Sequence, residues 1–218
     1  MGLQGRKQDL TTRLREAITS GRFMPNERLV EMDLAAALGA NRANVRTALA
    51  QLEQEGLVVR EPNRGARVRL ISPDEAIEIM QARAVLEVLV ARQAAVRATP
   101  EDHERLHAIL REMRAVVETG DLIRYSRLNG RLHAELQHIA GHQTATKLLA
   151  TLKSQIVRFQ YRAILLPGRS RQSLAEHQRI VEAICTRDPD GAGRRMSTHL
   201  RHAVDALKQV IEATTDGL

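Results

Sequence analysis

Histidines that could bind a metal lie on the apolar faces of three segments in the C-terminal two thirds of this chain. At helical spacing, Asn129 and His133 share a stripe with leucines, while His177 and His199 lie on two further apolar stripes. Burying a polar side chain without a partner costs about 1–3 kcal/mol. We therefore expect these four side chains either to satisfy one another or to share something bound between them.

Two interpretations of these histidines stay open from their spacing alone. Three neutral imidazoles that converge suit a divalent ion such as zinc or nickel, with water or a ligand completing the coordination shell. Alternatively, each is a core histidine that its own neighbours satisfy separately. The other histidines fall on polar faces or near a helix start and are less informative: His103, His107, His138, His142 and His202.

Arg83 is a charged residue on an otherwise apolar stripe that includes Ile79 and Val90. A guanidinium that points at a core needs an acceptor. One candidate is Glu87, four residues further along the same helix. The other is the carboxylate of a bound ligand, which an arginine can hold with two parallel hydrogen bonds.

The elements that position these residues are predicted to be helices joined by short turns. After Ser72, apolar residues recur at helical spacing to the end of the chain, which is typical of a helical bundle. Pro73 and the Thr99-Pro100 pair mark helix starts. The pattern predicts about six helices, over 73–98, 101–119, 121–140, 143–165, 170–187 and 190–214. We therefore expect two domains in a mainly α protein, one over 1–71 and a helical one over 72–218.

The N-terminal segment has the pattern of a winged helix-turn-helix. Helices are predicted over about 8–20, 30–38 and 42–55, with a turn at Gly39, and two β-favouring runs flank Pro62 to Gly65 as a hairpin. The outward face of the third helix carries small residues and Arg46, which can fork onto guanine or clamp a phosphate. Arg64 and Arg67 lie near the hairpin tip. The alternative is that these arginines are ordinary solvated charges.

Composition narrows the classes of protein and partner. The chain has 218 residues and a net charge of +7, which permits an anionic partner such as nucleic acid. Its only aromatic residues are two Phe and two Tyr, so base stacking by single-strand or RNA readers is not expected. A single cysteine, and the lack of an apolar signal or membrane-spanning run, predict a soluble cytoplasmic protein.

The segment "LVEMDLAAALGANRANVRTALAQLEQEGLVVREPNRGARV" resembles the winged helix of the GntR family of bacterial transcription regulators. The remainder of the chain, after "ISPDEA", resembles the helical effector domain of its FadR-like subgroup, called FCD. The resemblance implies that Arg42 and Arg46 contact DNA and that Gly65 shapes the wing. One departure is Met32, where relatives often have arginine. The residues expected at the DNA are Asn41, Arg42, Ala43, Asn44, Arg46, Thr47, Arg64, Gly65 and Arg67.

The resemblance also bears on the histidines, because FCD domains commonly bind a metal through an Asp-x-x-x-His pair and two later histidines. The matching positions here are Asn129, His133, His177 and His199. Asn129 in place of aspartate removes a negative charge and a strong oxygen ligand. The resemblance implies a divalent metal, with zinc expected first and nickel or manganese as alternatives. It also implies that Arg83 binds the effector.

Together these observations predict a homodimeric DNA-binding transcription regulator, and we expect a repressor. A small anionic metabolite, a carboxylate, is expected to control it from the helical domain, at the metal. Two-fold symmetry would suit a pseudo-palindromic duplex operator. The alternative is a metal-dependent hydrolase built on a helical bundle. No general base, phosphate-binding loop or nucleophile motif stands beside the histidines, so we do not expect an enzyme.

Overall fold

The computed structural model describes residues 9–61 and 65–215, leaving aside the side chains at positions 61, 157, 158, 160, 161, 214 and 215. The chain divides into two compact units between Ser72 and Pro73. Each unit has its own hydrophobic core. The core of the first unit is small and drawn from helices and strands, and that of the second unit is larger and drawn from helices. None of the described helices combines the length and the apolarity needed to cross a bilayer.

The first unit combines helices with a small antiparallel sheet. Its elements are α1 (Leu10–Thr19), β1 (Arg28–Leu29), α2 (Glu31–Leu38), α3 (Arg42–Gln54), β2 (Val58–Glu61) and β3 (Gly65–Val68). The strand order is β1-β3-β2, with Val58 opposite Val68 and Leu29 opposite Ala66. The predicted helices and hairpin are present within a few residues of their expected bounds. The two-residue strand β1 was not predicted, because so short a run has no periodicity.

The turn between α2 and α3 is built from two local devices. Gly39 ends α2 in the left-handed region with φ of 63°, a conformation that glycine adopts without strain. Asn41 then caps α3, and its side-chain oxygen accepts a hydrogen bond from the Asn44 backbone N–H at 2.8 Å. On α3 the stripe that faces the core is Val45, Ala48, Leu49 and Leu52, as the spacing predicted.

The second unit is a bundle of helices around α4. Its elements are α4 (Pro73–Arg97), α5 (Pro100–Thr119), α6 (Leu122–Ala140), α7 (Gln143–Ile164), α8 (Arg169–Cys185) and α9 (Pro189–Thr215). Helix α4 packs against α6, α7, α8 and α9. Fully buried Ala91, Ala94 and Ala95 give α4 a small-residue face, which lets neighbouring helices approach closely. A capping box between Thr99 and Asp102 starts α5.

Gly65 is a glycine whose replacement the fold of the first unit tolerates poorly. Its φ is +89°, and a Cβ there would lie 2.7 Å from the backbone oxygen of Leu29. We expect Gly65→Ala to lower the free energy of unfolding of this unit by about 3 kcal/mol, from backbone strain together with the clash. Urea unfolding followed by circular dichroism measures the change.

Gly39→Ala is the matched control. Gly39 also has a positive φ, but no atom lies within 4 Å of the added Cβ. Only the left-handed strain applies, so we expect a loss of about 1 kcal/mol. Equal losses for the two variants would show that the contact with β1 is not what requires glycine at position 65.

Candidate metal centre and nucleic-acid interface

Three helices of the second unit bring three histidines together in its interior. His133 comes from α6, His177 from α8 and His199 from α9, and each is buried. One ring nitrogen from each lies within 4.8 Å of the others, and the Nε2 atoms of His133 and His177 are 3.3 Å apart. The convergence that the apolar stripes left open is therefore present in the structure.

The other ring nitrogen of each histidine has its own partner outside the cluster. His133 Nδ1 lies 3.0 Å from Glu87 Oε2 and His199 Nδ1 lies 2.6 Å from Glu176 Oε2. His177 Nδ1 lies 3.4 Å from the Ser173 hydroxyl. A carboxylate can only accept, so His133 and His199 donate from Nδ1, and Nε2 is the ring nitrogen left for another partner. This outer arrangement is typical of metal-binding histidines.

Burial favours the neutral form of two of these histidines, His177 and His199. Desolvation lowers the pKa of His177 well below its ordinary value, and the neighbouring His199 and His133 lower it further. Desolvation also lowers the pKa of His199, against the opposing effect of Glu176. Both rings are therefore neutral at pH 7. Neutral imidazole is the form that coordinates divalent ions.

The carboxylates of Glu87 and Glu176, by contrast, remain ionised. Burial alone would raise the pKa of Glu87, but His133 and Arg83 outweigh it and lower that pKa to about 2. Burial likewise opposes ionisation of Glu176, and hydrogen bonds from His199 and His202 together with Arg169 lower its pKa to about 2. Each carboxylate therefore bridges one arginine and at least one histidine as a permanent anion.

The donor set fits a divalent cation. Asn129 lies one helical turn before His133, and its Oδ1 is buried with no hydrogen-bond partner among the described residues. That oxygen and the imidazoles line the same region of the bundle, where a buried oxygen without a partner would be costly. Three imidazole nitrogens and one amide oxygen are ligands that zinc, nickel and manganese accept.

A cavity of about 70 Å³ adjoins the histidines. Two guanidiniums line it, those of Arg83 and Arg169, both buried. Arg83 Nη2 donates to Glu87 at 3.1 Å, the intrahelical pair that the sequence allowed, yet its Nε is buried without a hydrogen-bond partner among the described residues. Arg169 Nη1 donates to Glu176 at 3.1 Å. The rest of the lining is mainly apolar: Met80, Ala163, Ile164, Leu200, Ala203 and Leu207.

Sequence reasoning missed several residues of this site. Glu87 was considered only as a partner for Arg83, and Arg169, Ser173 and Glu176 were not considered at all. Ser173 precedes His177 by one helical turn, so spacing could have found it. Glu176 reaches His199 and His202 from another helix, with Nδ1 of His202 at 2.7 Å, and spacing carries no signal of that contact.

The exposed face of α3 carries the residues expected at DNA. Arg42, Ala43, Asn44, Arg46 and Thr47 are all exposed. The Thr47 hydroxyl donates to the Ala43 carbonyl oxygen at 3.1 Å. Asn41 is also exposed, but its side-chain oxygen already serves as the helix cap. The structure thus leaves an open, partly basic surface at the start of α3.

Arg46 is not a free cation on that surface. Its Nε and Nη2 donate to the two carboxylate oxygens of Glu31 on α2, at 3.2 and 3.1 Å. The hydrogen bonds from Arg46 lower the pKa of Glu31, and Arg42 approaches the same carboxylate at 4.0 Å. The Arg46 side chain remains 57% exposed, so the pair orients the guanidinium while leaving it accessible.

The wing is described only in part. Gly65 begins β3, and Arg67 on the same strand donates from Nη1 to the Asn26 backbone oxygen at 3.1 Å. Arg67 thus ties β3 to the loop before β1 as well as facing outward in part. Arg64 lies outside the described residues.

Family comparisons match both units. Residues 78–202 match the FCD domain, and residues 6–68 match the bacterial regulatory proteins of the gntR family. A relative in Escherichia coli, the HTH-type transcriptional repressor RspR, is 28% identical over 203 residues, covering 93% of this chain and 89% of its own length. Another Escherichia coli relative bears the name "Putative L-lactate dehydrogenase operon regulatory protein". It is 29% identical over 218 residues, and the match covers 89% of this chain and 81% of the relative.

Solved structures share the fold. Escherichia coli McbR/YncC is 21% identical with a TM-score of 0.77, over 92% of this chain and 95% of that one. Lar, which controls the expression of the agr system of Listeria monocytogenes, is 21% identical with a TM-score of 0.65. The match covers 96% of this chain and 99% of Lar. At this identity the likeness concerns architecture.

Glu87 pairs with Arg83 and with His133, which is a candidate metal ligand. Loss of the Glu87 charge should therefore destabilise the second unit. We expect Glu87→Gln to lower the free energy of unfolding at pH 7 by about 3 kcal/mol, because it leaves the Arg83 charge buried without a counter-ion. The exposed Glu118→Gln is the control, with an expected change within about 0.5 kcal/mol. Chemical denaturation of both variants measures the difference, and similar values for the two would contradict the role given to Glu87.

Proposed function

The chain belongs to the GntR family of bacterial regulators with an FCD domain, and on that basis we propose that it represses transcription under the control of a small carboxylate. It is a DNA-binding transcription regulator and not an enzyme. The family assignment sets aside the metal-dependent hydrolase that the histidines alone left open. We place its action in the cytoplasm, at operator DNA.

The proposed DNA contacts rest on the exposed start of α3. Small side chains at Ala43 and Asn44 allow the helix to approach the major groove, and Arg46 presents the donors that pair with guanine or phosphate. Arg42 and Thr47 flank it on the same exposed face. Arg67 and Gly65, with Arg64, form the proposed wing contact to the adjacent backbone or minor groove.

The proposed effector site is the cavity beside the histidines. We assign His133, His177, His199 and Asn129 to a divalent metal, with zinc as the first candidate and nickel or manganese as alternatives. A bound cation would supply a Lewis-acidic position for a carboxylate oxygen. Arg83 would hold the same ligand from the side, because it lines the cavity and its buried Nε has no hydrogen-bond partner among the described residues. One relative is named for an L-lactate dehydrogenase operon, and lactate is a small carboxylate of the kind proposed here.

Repression and dimerisation complete the proposal. The relative RspR is named as a repressor. A single winged helix reads few base pairs, so a two-fold dimer on a pseudo-palindromic duplex is expected. Val85 and Val96 are 73% and 62% exposed on one face of α4, with Leu89 between them, and we propose that a second copy of this chain covers that face. A ligand that favours one dimer geometry would change the spacing of the two α3 helices.

Arg46 carries the DNA part of this proposal. We expect Arg46→Ala to weaken binding to the specific duplex by about 10- to 100-fold, because each well-placed arginine contact contributes about 1–3 kcal/mol. Fluorescence anisotropy at fixed salt measures the affinity. Arg114→Ala removes an exposed arginine from the second unit and should leave affinity unchanged. An unchanged affinity for Arg46→Ala would show that α3 is not the recognition helix.

The proposed metal site is tested through its ligand His133. Zinc at 100 times its Kd should stabilise the wild-type protein by about 2.7 kcal/mol, seen as a higher Tm. His133→Ala should lose both the bound zinc, measured by elemental analysis, and the rise in Tm. His138→Ala, an exposed histidine on the same helix, should retain both. Normal zinc content in His133→Ala would refute the ligand assignment.

A further inference from the structure

The charged side chains buried around the cavity bear on the net charge of the ligand, beyond its being a small acid. Two arginine–glutamate pairs flank the histidines: Arg83 with Glu87, and Arg169 with Glu176, each at 3.1 Å. All four side chains are buried. Because each pair is neutral as a unit, neither leaves a spare negative charge for a cation in the centre.

The donors themselves are also neutral. An imidazole coordinates a metal only as the neutral ring, and Asn129 contributes an amide oxygen instead of a carboxylate. A divalent cation on this donor set therefore brings two positive charges that no described residue of the site cancels. Uncompensated charge is strongly disfavoured in a buried setting.

The surroundings add positive charge, not negative. Lys153 on α7 is exposed and lies close enough to Arg83 for the two positive charges to repel each other. Arg83 also keeps one buried N–H, at Nε, without a hydrogen-bond partner among the described residues, and this arginine lines the cavity. The site thus offers two separate positions for anionic oxygen, one at the histidines and one at Arg83.

We propose that the ligand is a short dicarboxylate that carries two negative charges, one carboxylate at the metal-binding side chains and the other at Arg83. The charge of the dianion balances that of the cation, which Asn129 leaves uncompensated. A cavity of about 70 Å³ limits its length. At about 10–15 Å³ for each water-sized group, it holds about five to seven such groups, which corresponds to a dicarboxylate of two or three carbons.

The inference rests on the proposed function, and a pair of probes of matched shape separates the two. Malonate carries two charges, and its monoamide, malonamate, has the same skeleton with one. Isothermal titration of each into the zinc-loaded full-length protein measures Kd. We expect malonate to bind at least tenfold more tightly than malonamate.

Asn129→Asp tests the cause of that preference. The new carboxylate supplies one negative charge at the site, so the preference for malonate should fall at least tenfold while zinc stays bound. Gln137→Glu introduces the same charge on the same helix, at a position that does not line the cavity, and should leave the preference intact.

The outcomes divide clearly. Equal affinity of the wild-type protein for both probes, or an unchanged preference in folded Asn129→Asp, overturns the dianion proposal but leaves a small-acid regulator standing. The wild-type comparison decides by itself if the variant does not fold. Failure of the protein to take up zinc, or to bind any short carboxylate when zinc is bound, overturns the proposed function and the dianion proposal together.

Discussion

The buried ion pairs of the helical unit are the constraint on which its interior depends. A charged side chain inside a bundle is tolerated only when it is paired and hydrogen-bonded. Glu87 and Glu176 meet this requirement for Arg83 and Arg169, and each also accepts a hydrogen bond from a histidine. The same contacts that make the charges tolerable therefore hold the imidazole rings in one orientation and one tautomer. Stability and the geometry of the candidate site come from one network.

That network leaves selected atoms without partners among the described residues. Asn129 Oδ1 and Arg83 Nε are buried and lack hydrogen bonds there, whereas the Glu87 and Glu176 carboxylates beside them are paired. Unsatisfied polar groups are rare in protein interiors and each has an energetic penalty. Both residues line one cavity beside converging imidazoles, and this location favours the proposed binding site over three separately satisfied core histidines.

The DNA-binding unit uses a related device at its surface. Glu31 contacts Arg46 through both carboxylate oxygens, so α2 orients this arginine of α3. In water such a pair contributes little to stability. Its effect is on direction, because a guanidinium held in one plane presents its remaining donors to a limited set of positions. In both units, glutamates thus orient the side chains of arginines or histidines.

Local sequence determined the secondary structure and the faces of the helices well. Apolar periodicity predicted the helices of both units to within a few residues, and turn residues predicted the hairpin, because these depend on neighbours within one or two turns. The same periodicity placed Asn129, His133, His177 and His199 on inward faces. It could not detect β1, whose two residues become a strand only by pairing with β3.

Tertiary structure alone decided which of those faces meet. The 3.3 Å approach of His133 to His177, the contact of Glu176 with His199 and His202, and the pairing of Glu31 with Arg46 all join residues from different helices. Periodicity says that a side chain points inward but not which groups surround it, since that depends on how helices cross. The sequence therefore determined the residue types available for the site and the sides they lie on. The packing of α4, α6, α8 and α9 determined that they form one site with a defined charge.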